Sequence, residues 1–84
     1  MNFLFVCTGN TCRSPMAEVY AQDYAEKHNL DVLCKSAGLA AFENDSVSEN
    51  AIAALAADGL SAVTTQPRRF TKELGEWADQ IYVM

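Results

Sequence analysis

The chain has 84 residues, half of them apolar, and a formal charge of −5 at pH 7. This length is enough for one small domain, and the charge argues against nucleic acid as the main partner, because no basic face is available to neutralise a phosphate backbone. No apolar run approaches the length of a membrane span, and three cysteines without a secretory leader favour the reducing cytoplasm over a disulfide scaffold.

The amino-terminal part of the chain predicts a strand, a tight loop and a helix. Residues 2–6 form a short apolar run that is typical of a buried parallel strand. The octapeptide at residues 7–14 follows directly and reads Cys-Thr-Gly-Asn-Thr-Cys-Arg-Ser. Pro15 then opens an amphipathic stretch, as expected for the first turn of a helix.

The loop at residues 7–14 combines the features of an anion site with a nucleophile. Its backbone N–H groups and the helix start can point at one anion, and Arg13 offers a planar pair of donors for phosphate oxygens. Cys7 would lie beneath that anion, with its thiolate stabilised by the same positive field. This arrangement is typical of a covalent phosphatase, and the alternative is a buried structural cysteine in an ordinary turn. We predict no metal site, because no second cysteine or histidine pair completes one.

The next two elements complete a strand–helix–strand unit. Residues 15–28 predict an amphipathic helix that ends near Asn29. Its expected core face carries Ala17, Tyr20, Ala21, Tyr24 and Ala25, and its opposite face carries Glu18, Gln22 and Glu26. Residues 31–36 predict a second strand ending at Ala37 and Gly38, which implies a right-handed βαβ unit with parallel strands. Cys34, inside this strand, is expected to be a small buried hydrophobe.

The remainder of the chain predicts a loop, two helices and a third strand. After the loop at 39–46, Ser46 or Ser48 can cap a helix that runs to about Asp58 and stops at Gly59. Thr71 can cap a short helix carrying Leu74, Trp77 and Ala78, and residues 81–84 form the third strand pattern. The order β-α-β-α-α-β predicts a single α/β domain over 1–84 that is the first part of a larger one. Its uncovered sheet makes a homo-oligomer a further expectation.

The residues resemble a known family. The segment from Phe5 to Glu18 resembles the signature of the low-molecular-weight protein tyrosine phosphatases, and Ser36-Ala37-Gly38 resembles the end of the family's second strand. The stretches 70–74 and 78–84 resemble its third helix and third strand. The resemblance implies a phosphotyrosine protein phosphatase I-like fold, a four-stranded parallel sheet flanked by helices, of which about three strands are present here.

The resemblance also implies a role for each residue of the loop. Cys7 would be the nucleophile that forms a cysteinyl-phosphate, and Arg13 would hold the equatorial oxygens in the transition state. Ser14 would donate its hydroxyl to the Cys7 sulfur, while Asn10 and Ser36 would hold the loop in shape. A bound phosphate or sulfate ion, or the phosphate of a phosphorylated protein, would contact Thr8, Gly9, Asn10, Thr11, Cys12 and Arg13. Gly9 would let the loop curl without a side-chain clash. No cofactor is implied.

Two departures from the family pattern matter. The family's general acid is an aspartate in an Asp-Pro pair, whereas Asp45, Asp58 and Asp79 are not followed by proline. Without that acid the leaving group departs unprotonated, so we expect weak activity, lower by a factor on the order of 10²–10⁴. The second departure is Thr65, which stands where the family often has a histidine that buttresses the phosphate loop.

Thr11 bears on the choice of substrate. The family's tyrosine phosphatases commonly carry isoleucine at this position, beside the phenyl ring, whereas a threonine hydroxyl can accept a hydrogen bond from a guanidinium. The sequence Thr-Gly-Asn-Thr-Cys-Arg-Ser-Pro resembles the bacterial protein-arginine phosphatase branch, so phosphoarginine is favoured over phosphotyrosine. The alternative is that Thr11 is a neutral variant. Cys12 either forms a protective disulfide with Cys7 under oxidation or is a buried loop residue.

Two further functions stay open at the level of sequence. An arsenate reductase shares the phosphate loop but needs two more cysteines, and Cys34 does not match their placement. A phosphate-binding remnant would hold the anion in the loop without turnover.

Overall fold

The computed structural model describes residues 1–10, 12–41, 46–61 and 67–84. In these ranges three strands and three helices follow one another in the predicted order. They are β1 (Asn2–Cys7), α1 (Arg13–Lys27), β2 (Leu33–Gly38), α2 (Glu49–Ala57), α3 (Lys72–Trp77) and β3 (Gln80–Val83). The predicted bounds are confirmed to within about two residues at most element ends, which is the usual uncertainty of such ends.

The three strands form one parallel sheet in the order β2-β1-β3. Phe3 in the central strand pairs with Cys34 on one side and with Gln80 on the other. The predicted parallel strand–helix–strand unit is therefore confirmed. Because all strands run the same way, their carboxyl ends share one edge of the sheet, and the central strand ends there at Cys7.

One face of the sheet carries the apolar core. Leu4, Val6 and Ala37 are buried there. The segment around α3 packs over them with Phe70, Leu74, Trp77 and Ala78. The predicted cap of this helix is confirmed, since Thr71 Oγ1 accepts a hydrogen bond from Leu74 N at 3.2 Å.

Helix α1 covers the β2 side of the other face, with Ala25 buried as predicted, but two of its side chains lie elsewhere than its pattern predicts. Tyr24, expected in the core, is 60% exposed and stacks on His28 at 4.1 Å. Gln22, expected in solvent, donates to Val32 O at 3.1 Å and accepts from Cys34 N at 2.8 Å. The reason is that β2 is an edge strand, whose outward backbone N–H and C=O groups need hydrogen-bond partners. The amide of Gln22 can accept from the N–H group and donate to the C=O group.

Helix α2 begins and ends as predicted. Ser48 is its cap, with the side-chain oxygen accepting from Ala51 N at 3.2 Å, and Gly59 follows the helix with a φ of 75°. Tyr20 of α1 is half-buried and donates its hydroxyl to Asp58, which ties the two helices together. Within the described ranges, no helix is long and apolar enough to cross a membrane.

Candidate functional site: a phosphate loop between β1 and α1

The loop between β1 and α1 lies at the carboxyl edge of the sheet, at the end of the central strand. Cys7 closes the strand and is 5% exposed, whereas Arg13 opens the helix and is exposed. Pro15 is buried in the first helical turn. Cys12 is the residue that caps α1, and no side chain of the described residues caps this end. Because the side chain of the cap residue accepts no hydrogen bond here and the Ser14 N–H points at the Cys7 sulfur, this end of the helix suits an anion bound beside that sulfur.

Asn10 gives the loop its turn. Its φ of 55° lies in the left-handed region, which asparagine tolerates better than most residues. The residue is fully buried, and its backbone N–H points at the Cys7 sulfur at 3.2 Å. The strained backbone therefore aims a donor at the sulfur of the cysteine.

A chain of buried hydrogen bonds joins the predicted site residues. Cys7 Sγ lies 2.8 Å from Ser14 Oγ. Asn10 Nδ2 donates to Ser14 Oγ and to Ser36 Oγ, each at 2.8 Å. The structure thus brings Cys7, Asn10, Ser14 and Ser36 together, as the sequence predicts.

Two further residues that take part in these hydrogen bonds were not expected from the sequence. Ser36 donates its hydroxyl to Glu18 Oε1 at 2.7 Å, although the helical pattern placed Glu18 on the solvent face. Asn10 Oδ1 accepts from the backbone N–H of Arg68 at 2.7 Å. A signal for Glu18 is its spacing of four residues from Ser14, which puts both side chains on one side of α1. The Arg68 contact uses only backbone, so no residue type could have indicated it.

Gly38, at the end of β2, lets the loop approach the sheet closely. A Cβ atom at this position would lie 2.8 Å from Thr8 O and 2.9 Å from both Asn10 N and the Gly9 carbonyl carbon. Leu39 N donates to Cys7 O at 3.0 Å, so backbone bonds from the end of β2 also hold the loop. Close backbone approach of this kind is a position for glycine.

The surroundings of Cys7 favour its thiolate. Burial acts to raise the pKa of the Cys7 thiol, but hydrogen bonds from the Ser14 hydroxyl and from the backbone N–H groups of Ser14 and Asn10, together with the Arg13 charge, outweigh it. The pKa of Cys7 therefore lies below its usual value. The pKa of Cys34 is raised, by burial and by the Glu18 charge. The two pKa values shift in opposite directions because, among the described residues, hydrogen-bond donors surround the Cys7 sulfur, whereas burial and a negative charge act on Cys34.

The described aspartates that were weighed as acids lie away from this loop. Asp58 accepts from the Tyr20 hydroxyl between α1 and α2. Asp79 accepts from Asn2 N at 2.7 Å, at the amino end of β1 and so at the opposite edge of the sheet. Asp45, Thr11 and Thr65 lie outside the described residues.

Comparisons with known proteins agree with this geometry. A family model described as low molecular weight phosphotyrosine protein phosphatase matches residues 2–84. A protein-arginine-phosphatase of Bacillus subtilis is 42% identical over 84 residues, which are 100% of this chain and 55% of the relative. The low molecular weight protein-tyrosine-phosphatase PtpB of Staphylococcus aureus is 42% identical over 72 residues, or 86% of this chain and 48% of PtpB.

Solved structures have the same fold over the whole of this chain. A mutant of YwlE from Bacillus subtilis superposes with a TM-score of 0.96 at 39% identity, over 100% of this chain and 56% of that one. A low molecular weight protein tyrosine phosphatase from T. tengcongensis gives a TM-score of 0.96 at 36% identity, over 100% and 58%. The chain thus spans about half the length of the relatives that it matches. By the family match over residues 2–84, it belongs to the low molecular weight phosphotyrosine protein phosphatase family.

Proposed function

We propose that this chain carries the nucleophile and the phosphate loop of a phosphoprotein phosphatase. The observation that supports this most directly is the Cys7 sulfur, which lies at the end of the central strand within 3.2 Å of Asn10 N and 2.8 Å of Ser14 Oγ. A thiolate held in this way beside a helix start is poised under a bound phosphate.

The reaction proceeds in two displacements through a cysteinyl-phosphate. The Cys7 thiolate attacks phosphorus, and the Sγ–P bond forms as the bond from phosphorus to the leaving oxygen or nitrogen breaks. Water then attacks phosphorus, the Sγ–P bond breaks and inorganic phosphate leaves. Arg13 holds the equatorial oxygens through both steps, and its exposed position at the start of α1 supports this role. Ser14 stabilises Cys7 as attacking and then as leaving thiolate.

Phosphoarginine is the proposed substrate, with phosphotyrosine as the alternative. The relatives include both a protein-arginine-phosphatase and a protein-tyrosine-phosphatase. The argument for phosphoarginine is the Thr11 hydroxyl, which can accept a hydrogen bond from a guanidinium. In Thr11→Ile the ratio of phosphoarginine to phosphotyrosine turnover is expected to fall, and an unchanged ratio would show that Thr11 does not set specificity.

Slow turnover is proposed for the 84-residue chain itself. It carries no aspartate followed by proline, and Asp58 and Asp79 are engaged elsewhere. An unprotonated leaving group costs a factor on the order of 10²–10⁴ in rate, less for a phenoxide than for an alkoxide. An aryl phosphate with a good leaving group is therefore the most suitable first substrate.

The test is phosphate release from p-nitrophenyl phosphate by the purified chain and two cysteine variants. Cys7→Ser is expected to abolish release, and Cys34→Ser, a change at the other buried thiol, is expected to retain it. Release that survives in Cys7→Ser contradicts the proposal. Binding of phosphate without any release would favour the phosphate-binding remnant, and arsenate-dependent thiol oxidation would favour the reductase.

A further inference from the structure

The direction of the hydrogen bond between Cys7 and Ser14 decides how the sulfur is held. The two atoms lie 2.8 Å apart, and either can donate by geometry alone. If Ser14 donates, the sulfur is stabilised as a thiolate, whereas if Cys7 donates, it is held as a thiol. The rest of the hydrogen-bond chain determines which of the two occurs.

The first constraint comes from Arg68. Its backbone N–H can only donate, so the Asn10 atom that it meets at 2.7 Å is the carbonyl oxygen Oδ1. The amide nitrogen Nδ2 therefore faces Ser14 and Ser36 and gives one proton to each. Both serine hydroxyls accept from Asn10.

The second constraint comes from Glu18. A carboxylate oxygen accepts, so the serine hydroxyl donates the bond of 2.7 Å from Ser36 Oγ to Glu18 Oε1. With its proton directed at Glu18, Ser36 has only lone pairs to offer to Asn10. This keeps the Asn10 amide turned toward Ser14, whose own proton is left for the sulfur of Cys7.

We propose that Glu18 is a positioning residue, whose carboxylate acts together with the Arg68 N–H to set the direction of the hydrogen bonds that run from Ser36 to the Cys7 sulfur. Its importance for turnover rests on the proposed function, but its effect on the thiol does not. Without an acceptor at position 18, the Ser36 proton is free to turn toward Asn10, and only the bond from Arg68 N then opposes inversion of the amide. In the inverted amide, Oδ1 would accept from both serines and draw the Ser14 proton away from sulfur.

The negative charge of Glu18 has the opposite effect on a nearby thiol to that of the hydrogen bonds described above. A carboxylate near a thiol disfavours the thiolate, as the effect of Glu18 on Cys34 of β2 illustrates. Asp23 and Glu26 of α1 add negative charge around Glu18, since all three line one groove beside Leu60. Arg13 is the charged group that favours the thiolate of Cys7. If the charge of Glu18 acted directly on Cys7, its removal would lower the pKa of Cys7, whereas loss of the acceptor raises that pKa, so the two explanations predict opposite results.

The test is the pH dependence of Cys7 alkylation by iodoacetamide in the 84-residue chain, followed by peptide mass mapping. Glu18→Gln removes the charge and keeps an acceptor, so the Cys7 profile is expected to stay close to that of the unchanged chain. Glu18→Met keeps the side-chain length and removes the acceptor, so alkylation at neutral pH is expected to fall roughly tenfold, which corresponds to about one pKa unit. Glu26→Met, the same change at an exposed position of the same helix, is the control and should leave the profile unchanged.

Three results overturn the proposal: an unchanged profile in Glu18→Met, faster alkylation in both Glu18 variants, or an equal loss in both. If Glu18→Met does not fold, as judged by circular dichroism, Glu18→Ala takes its place with the same expectation. Because alkylation requires no turnover, a failure here is distinct from a failure of the phosphatase proposal.

Discussion

Asn10 concentrates much of the site's organisation in one residue. Its backbone adopts a φ of 55° and directs an N–H at Cys7, while its side chain bonds two serines and the backbone of Arg68. An alanine at this position could not make the side-chain hydrogen bonds, and it would adopt this backbone conformation only at a cost in free energy. The residue type is therefore determined both by the turn and by the partners that surround it.

A matched pair of asparagines separates these two contributions. Asn29 has nearly the same backbone angle, a φ of 53°, but is exposed at the end of α1. We expect Asn29→Ala to lower the free energy of unfolding by about 1 kcal/mol, for the backbone alone. Asn10→Ala is expected to lose about 3 kcal/mol, since buried groups of Ser14, Ser36 and Arg68 also lose their partner. Urea unfolding measures both values, and equal losses would mean that the side-chain bonds of Asn10 add nothing.

Cys7 could be placed in the site from its position in a strand, a loop and a helix start, whereas Asn10, Ser14 and Ser36 were placed there by the resemblance to the family. The sequence was insufficient to place Glu18. A hydropathy pattern assigns a carboxylate to solvent, and only the position of Ser36 on the neighbouring strand gives that carboxylate a buried partner.

At the scale of elements, the succession of strands and helices was easier to predict than the side of a helix that packs inward. The caps at Ser48 and Thr71 and the stop at Gly59 follow from local chemistry and are confirmed. The inward face of α1 was predicted correctly at Ala25 and wrongly at Tyr24, which is exposed beside His28. Gln22 was placed in solvent but satisfies backbone groups of the edge strand β2. Such pairings depend on which strand lies under the helix, and the sequence of the helix alone does not indicate that strand.

The contact between the end of β2 and the loop predicts a specific effect of glycine replacement. In Gly38→Ala the new methyl group meets backbone atoms of Thr8 and Asn10 at 2.8 and 2.9 Å, so the loop must shift. Overpacking of this kind costs about 1–3 kcal/mol. Phosphate bound in the loop is expected to protect Cys7 of the unchanged chain against alkylation, and we expect Gly38→Ala to lose this protection.

Gly75→Ala is the control for this change. Its new methyl group meets only the end of the Phe70 ring, at 3.2 Å, and it lies in α3, away from the loop. Phosphate protection should persist in this variant. If Gly38→Ala retains protection as well, close packing against Gly38 is not what shapes the loop.

At the scale of the whole molecule, the described part is a parallel sheet in which the edge strand β3 is largely exposed. Ile81, Tyr82 and Val83 of β3 are 45%, 43% and 74% exposed. Tyr82 stacks on Phe5 of β1 at a centroid distance of 5.4 Å. Apolar edge strands of this kind tend to pair with another strand.

Self-association of the 84-residue chain is the corresponding prediction. Sedimentation velocity should show a sedimentation coefficient that rises with protein concentration, and Val83→Lys should reduce the rise by placing a charge on the edge strand. Ile52→Lys, at an apolar position of α2 that is 47% exposed, is the control and should behave like the unchanged chain. An equal reduction in both variants would mean that loss of any exposed apolar side chain, and not the β3 edge, governs association.

The central claim is that Cys7 carries the phosphoryl group during turnover. The measurement is acid quenching of the chain during reaction with an aryl phosphate, followed by mass spectrometry of its peptides. We predict the added mass of one phosphoryl group on the peptide that contains Cys7, lost again as free phosphate appears, and no such mass in Cys7→Ser incubated with phosphate alone. Phosphate release with no phosphoryl group on Cys7, or a phosphoryl group on Cys34 instead, would contradict the account.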